Sequence, residues 1–451
     1  MDEPQLTPRD MSLVADVVER RPQLKNYQNF YDGNTKVSFI GEEVDSAVGK
    51  KLRHQSVNRI QPIIDLTLDK LNLEGWGDGD ETSEDDQLAD ELWHELELDV
   101  LQHRVHADAL VKGAGYLLVW TDANDNLIVG VQEPEQIALS WDPEDPDRID
   151  TAIKVWRTAT GNWRLNRYTD KNLEKYITKS PSLEPPTVGG AWERYQDEED
   201  LHWPLQHSFG IVPIFHFKVT NRAASYGTSD IQPLLSLQDK LNSSLAYESV
   251  AMEKNSWPDR WLTGFSVMKD EEGNVISPFS SDADSIWAIA SKEARFGQFD
   301  GTDLTKFEDV IEGDEARIAR TARIPIHYLL QNGSAPSGEA LKTSEAMWVS
   351  KIVARQRMFG LVWTKIIKLA MHLKHGNDLN QRFYPMWTSA ETRDETNTIQ
   401  RKTLLQNLIN QGKYAAQVLK ELGYTQDQID YFEELRIERL DEQAQRVLEG
   451  F

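Results

Sequence analysis

Three groups of residues in this 451-residue sequence have types and spacings that chemistry uses. His103, His106 and Asp108 fall within six positions and could share a helix face around a metal ion. No further ligand follows at a convincing interval, which favours a surface or packing role for them. The tract from Glu74 to Asp99 holds 12 acidic residues and no Lys or Arg, so it could gather divalent cations. It lacks the alternating ligands and closing Glu of a calcium loop, and a solvated face is the simpler reading. Gly75, Gly77 and Gly79 alternate as in a phosphate-binding loop, but they stand among acids, the wrong sign for cradling phosphate. Gly49-Lys50 lacks the upstream glycine and following hydroxyl of a nucleotide-binding loop, and neither H-E-x-x-H nor G-x-S-x-G occurs. With no cysteine, thiolate metal sites, iron–sulfur clusters, disulfides and cysteine nucleophiles are excluded.

The elements that would position such residues belong to a long chain, about three domains at ~150 residues each. Hydrophobic residues make up 39%, and 14 Trp stand with 13 Tyr and 14 Phe, enough for buried cores. Against 74 Asp and Glu there are 49 Lys and Arg, a net charge of −25. Such a surface repels nucleic acid on average, which rules out bulk affinity for phosphates but not passage of a duplex that does not stick. The start, MDEPQLTPRD, has neither the basic opening nor the apolar core of a signal peptide, and no 18 apolar residues run together. The expectation is a soluble, cytosol-made, multi-domain protein with no membrane span.

Periodicity predicts an α+β, helix-rich fold. Helices are expected over 8–31, ending at Gly33, and over 57–71. A further helix is expected in the second half of the acidic tract, through Leu88, Leu92, Leu96 and Leu98. From Val111 the period becomes strand-like. Tyr116–Trp120 and Leu127–Val131 flank a turn at 122–126, and Lys154–Thr158 and Trp163–Tyr168 flank another at 159–162. The stretch 180–200 reads as a loop, and Val212–Lys218 as a strand closing the region. Ser229 opens a helix with capping-box spacing to Gln232, running to about Ser256 before Pro258. Short strands follow at Arg260–Val267, Ser285–Ala290 and Ala294–Gln298. A helix over 307–323, bent at Gly313, stops before Pro325. Then come a Gly/Ser/Pro loop at 332–338 and one long helix from Glu339 to Lys374, with Leu341, Trp348, Ile352, Phe359, Trp363, Ile366, Ala370 and Leu373 on its apolar face. The region 390–449 reads as helical, divided at Gly412 and Gly423.

Charge is unevenly laid out. From Ala316 to His375 there are ten Lys or Arg and only Glu339 and Glu345, a local +8 inside a chain of −25. A basic helical unit in an acidic protein fits contact with nucleic acid through Arg317, Arg320, Arg323 and Lys342. It also fits self-association, the basic helix of one copy meeting an acidic face of the next, with Lys351 and Arg355 in the contact. A single buried helix whose basic side faces water is the third reading.

The order of these segments resembles the portal proteins of tailed double-stranded DNA bacteriophages, particularly the long-tailed, non-contractile branch infecting actinobacteria. The resemblance rests on Asn29-Phe-Tyr-Asp-Gly33 followed by the Asn58–Leu71 helix, and on Lys112-Gly-Ala-Gly-Tyr-Leu-Leu-Val119. It rests further on Tyr226-Gly-Thr-Ser-Asp230 leading into a helix that ends near Pro258-Asp-Arg-Trp-Leu-Thr-Gly264. Ile318-Ala-Arg-Thr-Ala-Arg-Ile-Pro325 then precedes Pro336-Ser-Gly-Glu-Ala-Leu341 and a helix containing Arg355-Gln356 and Phe359-Gly360.

The resemblance implies a portal architecture with wing, stem, clip and crown around a central channel, in a homo-oligomeric ring of probable family size twelve at one capsid vertex. Residues 1–228 and the long helix would form the wing, 229–256 and 307–323 the two stem helices, and 257–306 the clip. Residues 324–389 would hold the tunnel loop and long wing helix, and 390–451 the crown. Gln331, Asn332, Gly333, Ser334 and Ser337 are the tunnel-loop residues nearest the DNA. Arg317, Arg320, Arg323, Lys342, Lys351 and Arg355 are the basic channel or intersubunit candidates. The implied partners are double-stranded DNA, held transiently and without sequence preference, the terminase large subunit, the major capsid protein and scaffold, and the head-tail adaptor. The ring would be assembled in the host cytoplasm and carried in the virion, with no cofactor and no catalytic or metal residue. Two other classes stay open on the residues alone: an oligomeric capsid adaptor that does not encircle DNA, and an enzyme acting on nucleic acid or carbohydrate through a carboxylate pair.

Overall fold

A computed structural model of the chain describes residues 6–35, 56–77, 84–122, 126–197, 202–220, 222–256, 260–264, 268–269, 272, 275–276, 293–329, 338–376 and 382–391. The chain divides into two compact units. Unit 1 takes in the described parts of 1–28, 62–232 and 333–451, and unit 2 those of 29–61 and 233–332.

In unit 1, helix α1 (Pro8–Tyr31) begins at Thr7, whose hydroxyl accepts from the Asp10 amide at 3.2 Å while Asp10 Oδ2 accepts from the Thr7 amide at 2.8 Å. This reciprocal cap, with Pro8 at the first helical position, explains the sharp start. Helix α2 (Ile60–Leu68) is shorter than periodicity predicts, because the Asn58 side chain caps it by accepting from the Ile60 amide at 2.9 Å. The acidic tract gives strand β1 (Leu73–Trp76), then helices α3 (Glu84–Glu95) and α4 (Leu98–Lys112). The single helix expected through Leu96 is broken there by Glu97, which adopts φ 53°.

Strand β2 (Ala114–Thr121) pairs with β3 (Leu127–Gln132) in the predicted hairpin and, on its other edge, with β10 (Ile214–Lys218). The larger sheet runs in the order β4 (Ile137–Trp141), β5 (Ile149–Arg157), β6 (Trp163–Tyr168), β7 (Asn172–Thr178) and β8 (Trp192–Arg194), all antiparallel. Strand β9 (Leu205–Gln206) extends the same edge of β7. Strand β8 corrects the expectation of a bare loop over 180–200. Buried Trp192 anchors it and donates its indole N–H to the Pro186 carbonyl at 3.0 Å.

Alternation along β5 places Ile153 and Val155 against Val14 and Val17 of α1, while Ala152 faces Tyr116 and Ile214 of the smaller sheet. The sheet is therefore buried on both faces. Helix α7 (Gly338–His375) runs 38 residues, about 57 Å at ~1.5 Å per residue. Trp348, Ile352, Phe359, Trp363, Ile366 and Ala370 are buried on it as the apolar stripe predicts; Leu373 is half-buried. Strand β15 (Pro385–Trp387) pairs with β1.

In unit 2, helix α5 (Leu235–Ser256) packs antiparallel to α6 (Thr305–Ala322). Between them, β11 (Arg260–Thr263) pairs with β14 (Arg295–Gln298), and β12 (Met268–Lys269) with β13 (Val275–Ile276). Ser285–Ala290 lies outside the described residues. Helix α6 is continuous through Gly313 and is not interrupted there. Asp314 is buried between the two helices and accepts from Lys240 at 2.6 Å, from Ser244 at 3.1 Å and from Arg317. Arg59 reaches Glu315 at 2.7 Å, and its amide donates to Gln238 Oε1 at 3.0 Å, tying the 57–59 turn to the pair. Residues 29–61 thus group with α5 and α6 in unit 2.

Candidate functional site

The two histidines and the aspartate that suggested a metal site face three ways. His106 is fully buried: its Nδ1 lies 2.9 Å from the Leu71 carbonyl, and its Nε2 accepts the Trp363 indole N–H at 2.9 Å. Its ring stacks on Phe359 at 4.7 Å between centroids. The Leu71 bond places the proton on Nδ1, and burial pushes the pKa down to about 3, so the imidazole is neutral. His103 is exposed. Asp108 meets Lys112 at 2.9 Å, and Lys112 also reaches Glu135 at 3.1 Å. Among the described residues no group of three His, Asp or Glu could hold a metal ion.

Among the described residues, each unit has a hollow of note. A polar one in unit 1, about 290 Å³, is lined by Arg9, Asp10, Asp150 and Arg167. Its acids are spent: Asp10 takes bonds from Thr7 and an ion pair from Arg167 at 2.9 Å, and Arg167 also holds Glu174 at 3.1 Å. An open apolar groove of about 470 Å³ in unit 2 is lined by Tyr247, Phe307 and Val310. The hydroxyl–carboxylate contact in the polar one, Thr7 Oγ1 to Asp10 Oδ2 at 2.7 Å, is part of the cap that starts α1.

The basic candidates separate into two sets. Arg317, Arg320 and Arg323 are exposed together at the C-terminal end of α6, spread over about 9 Å of helix. The same helix opens with exposed Glu308, Asp309 and Glu312, so both ends carry the charge that the helix dipole favours. Arg323 closes the helix with φ 59°, while the Ile324 amide donates to the Ala319 carbonyl at 3.0 Å. Lys342 lies in α7, but its side chain falls outside the described residues, as do Gln331, Asn332, Gly333, Ser334 and Ser337 altogether.

Lys351 and Arg355 both close on one carboxylate of their own chain. Lys351 Nζ lies 3.0 Å from Asp230 Oδ2, and Arg355 Nη2 donates to Asp230 Oδ1 at 2.7 Å. The side chains are 10%, 18% and 9% exposed, so the charges are largely withdrawn from water. Burial alone would push the Asp230 carboxyl up; the two cations outweigh that and hold it below the ordinary carboxylate range.

Asp230 is itself fixed by the backbone. Its amide donates to the Leu110 carbonyl at 2.9 Å, and Ser229 Oγ donates to the Val111 carbonyl at 2.5 Å. Ser229 also accepts from the Ile231 amide at 3.2 Å, one residue short of the bond to Gln232 that a capping box makes, and a 3-10 turn over Gln232–Leu234 precedes the regular helix at Leu235. Immediately upstream, Gly227 (φ +107°) crosses Gly113 (φ +85°) so closely that a Cβ on Gly227 would stand 2.1 Å from the Gly113 carbonyl oxygen. Both glycines lie in the stretches that carry the family resemblance. Asp230 was missed as a functional residue because its partners lie over 120 positions away.

The geometry is that of a mixed helix-and-sheet chain with long helices and a basic helix end. The sequence matches the family model described as "Phage portal protein, SPP1 Gp6-like" over residues 12–446. The chain belongs to this family of phage portal proteins, and its function is that of a portal. It is similar to the portal protein of Mycobacterium phage D29, 23% identical over 381 residues that cover 81% of this chain and 75% of that one. The portal protein of Mycobacterium phage L5 is 24% identical over 385 residues, covering 81% and 74%. A solved structure titled "Neck of empty GTA particle computed with C6 symmetry" aligns with 85% of this chain and 94% of that chain, at 11% identity and a TM-score of 0.48. No helix among the described residues is long and apolar enough to cross a membrane.

Proposed function

We propose that twelve copies of this chain close into a ring at one capsid vertex, through which the genome is packaged and later released. The observation that carries this reading is the family match along nearly the whole chain, from residue 12 to residue 446. In this ring the sheet-containing unit 1 with α7 serves as the wing, α5 and α6 as the stem, and the β11–β14 segment as the clip. The 329–338 loop faces the duplex, and 390–451 forms the crown. The clip and stem dock the terminase motor during filling and the head-tail adaptor afterwards, while the capsid protein and scaffold hold the rim. The chain itself performs no chemistry, since the motor is a separate ATPase. Assembly takes place in the host cytoplasm.

Charge supports passage without adhesion. At −25 per copy, twelve copies carry about −300 formal charges, felt within ~8–10 Å of each surface. The arginines at the end of α6 supply local phosphate contact. Electron microscopy of the purified protein is expected to show annular particles with a hole wide enough for a B-form duplex; single compact particles or solid discs reject the ring. The stretch Gln331–Gly338 carries no charge, so phosphates slide past it. Ser334→Arg with Ser337→Arg is therefore expected to slow packaging more at low salt than at high salt, because added cations trap phosphates only where screening is weak. Equal rates at both ionic strengths would remove the loop from the DNA path.

A further inference from the structure

We propose that neighbouring copies of this chain meet through two complementary faces of unit 1, an exposed basic stripe on α7 and an acidic face on α3. The stripe is formed by exposed Met347, Ala354, Arg357, Leu361 and Lys365 and half-buried Lys368, which recur at intervals of three, four or seven and so line one side of the helix over about 32 Å. It carries three cations and no acid, and it exposes two large apolar side chains, Met347 at 66% and Leu361 at 69%. Water is a poor final environment for two such residues on one stripe of a rigid helix.

The acidic face lies on the opposite flank. Trp363, two residues after Leu361 and therefore about 200° around the helix, points away from the stripe and meets Trp93 of α3 edge-on at 4.9 Å. On α3, Glu91 and Glu95 stand two positions either side of Trp93, so they in turn point away from α7. Both are exposed, as is Glu84 seven positions before Glu91 on the same side; past the break, exposed Glu97 and Val100, the latter 61% exposed, stand at the start of α4. Glu95 is also bonded to Lys374 within the chain; the other glutamates of the face carry the pairing.

Charge decides how copies pair. Stripe against stripe sets cations on cations, and face against face sets acids on acids, so a two-fold contact is disfavoured on both sides. Stripe against face is attractive. Because the two lie on opposite flanks, the contact leaves one of each free for the next copy, and such a head-to-tail contact, repeated with a rotation that closes, gives the ring proposed above. The cations involved are Arg357, Lys365 and Lys368 rather than Lys351 and Arg355, which are occupied by Asp230.

This inference rests on the ring reading above and is tested so that the two can fail separately. Full-length chain is assembled and its ring fraction measured by light scattering and negative-stain microscopy. Arg357→Glu with Lys365→Glu, and separately Glu84→Lys with Glu91→Lys, are each expected to cut the ring fraction about tenfold, with unchanged circular dichroism. Mixing the two variants one to one is expected to restore rings in which they alternate, since each stripe then meets a compatible face. A single chain carrying all four changes is expected to assemble as well. Rings that form normally from either reversed variant overturn the surface, as does loss of rings without recovery in both the mixture and the four-fold variant. A wild-type chain that stays single overturns the ring reading itself.

Discussion

Replacing Asp230 by alanine is expected to destabilise the fold by about 3–5 kcal/mol, since it strands two largely buried cations against each other. The loss is read as a drop in the urea midpoint. The magnitude comes from where the cations sit. Lys240 and Arg317, opposite Asp314, are about half exposed and can turn to water if their partner is removed. Lys351 and Arg355 have little such freedom. Replacing the whole cluster, with Asp230→Leu, Lys351→Met and Arg355→Met together, is expected to recover most of the loss, because no buried charge remains. A single alanine variant with an unchanged midpoint would show that the two cations find water elsewhere. Folding holds the carboxyl below its ordinary value, so its contribution is present at neutral pH and fades only as pH falls below ~4 through the lowered value.

Unit 1 is expected to lose stability in mild acid, well above the range where carboxylates titrate. His106 is fully buried and His216 half-buried, and desolvation lowers each to about 3. His216 stacks on Tyr116 at 5.0 Å, and its Nε2 lies 3.1 Å from the Tyr226 carbonyl. Both rings are neutral when folded, while the unfolded chain takes up their protons below ~6.5. Between those values the unfolded state binds more protons, so stability is complete above pH ~6.5 and falls as pH drops towards 3. The expected slope is roughly 1.4 kcal/mol per pH unit for each ring, or about 3 kcal/mol per unit for the pair. Urea unfolding followed by tryptophan fluorescence at pH 7, 6 and 5 measures it, with Trp363 touching His106 as a natural reporter. His106→Gln is expected to halve the slope. A midpoint that stays constant down to pH 5 would show that water reaches both rings.

Much of this fold was legible in the sequence because local pattern and tertiary demand agree. The α1 stripe, the β2–β3 and β5–β6 hairpins and the buried face of α7 all follow from period alone. The break at Glu97 was not legible, since nothing in Leu96-Glu97-Leu98 favours a left-handed residue; packing of Leu92, Trp93 and Leu98 imposes it. Strand β8 hid among prolines and glycines because three residues are too few to show a period. For the site, sequence gave the excess of cations between Ala316 and His375 but not their partners. Only the fold could divide Lys351 and Arg355, consumed by Asp230, from Arg357 and Lys365, which remain open to solvent. The candidate tunnel-loop residues carry no signal of that kind, being uncharged, and rest on the family resemblance alone.

The crossing of Gly113 and Gly227 bears on how this chain can move. Two backbones that touch without side chains between them have no slack to take up, and the bonds from Ser229 and Asp230 to the end of α4 seal the strands on either side. A pivot needs dihedral angles free to rotate, and this stretch has none to spare. The backbone so clamped runs through Ile231, and the short 3-10 turn at Gln232–Leu234 is the first stretch past it.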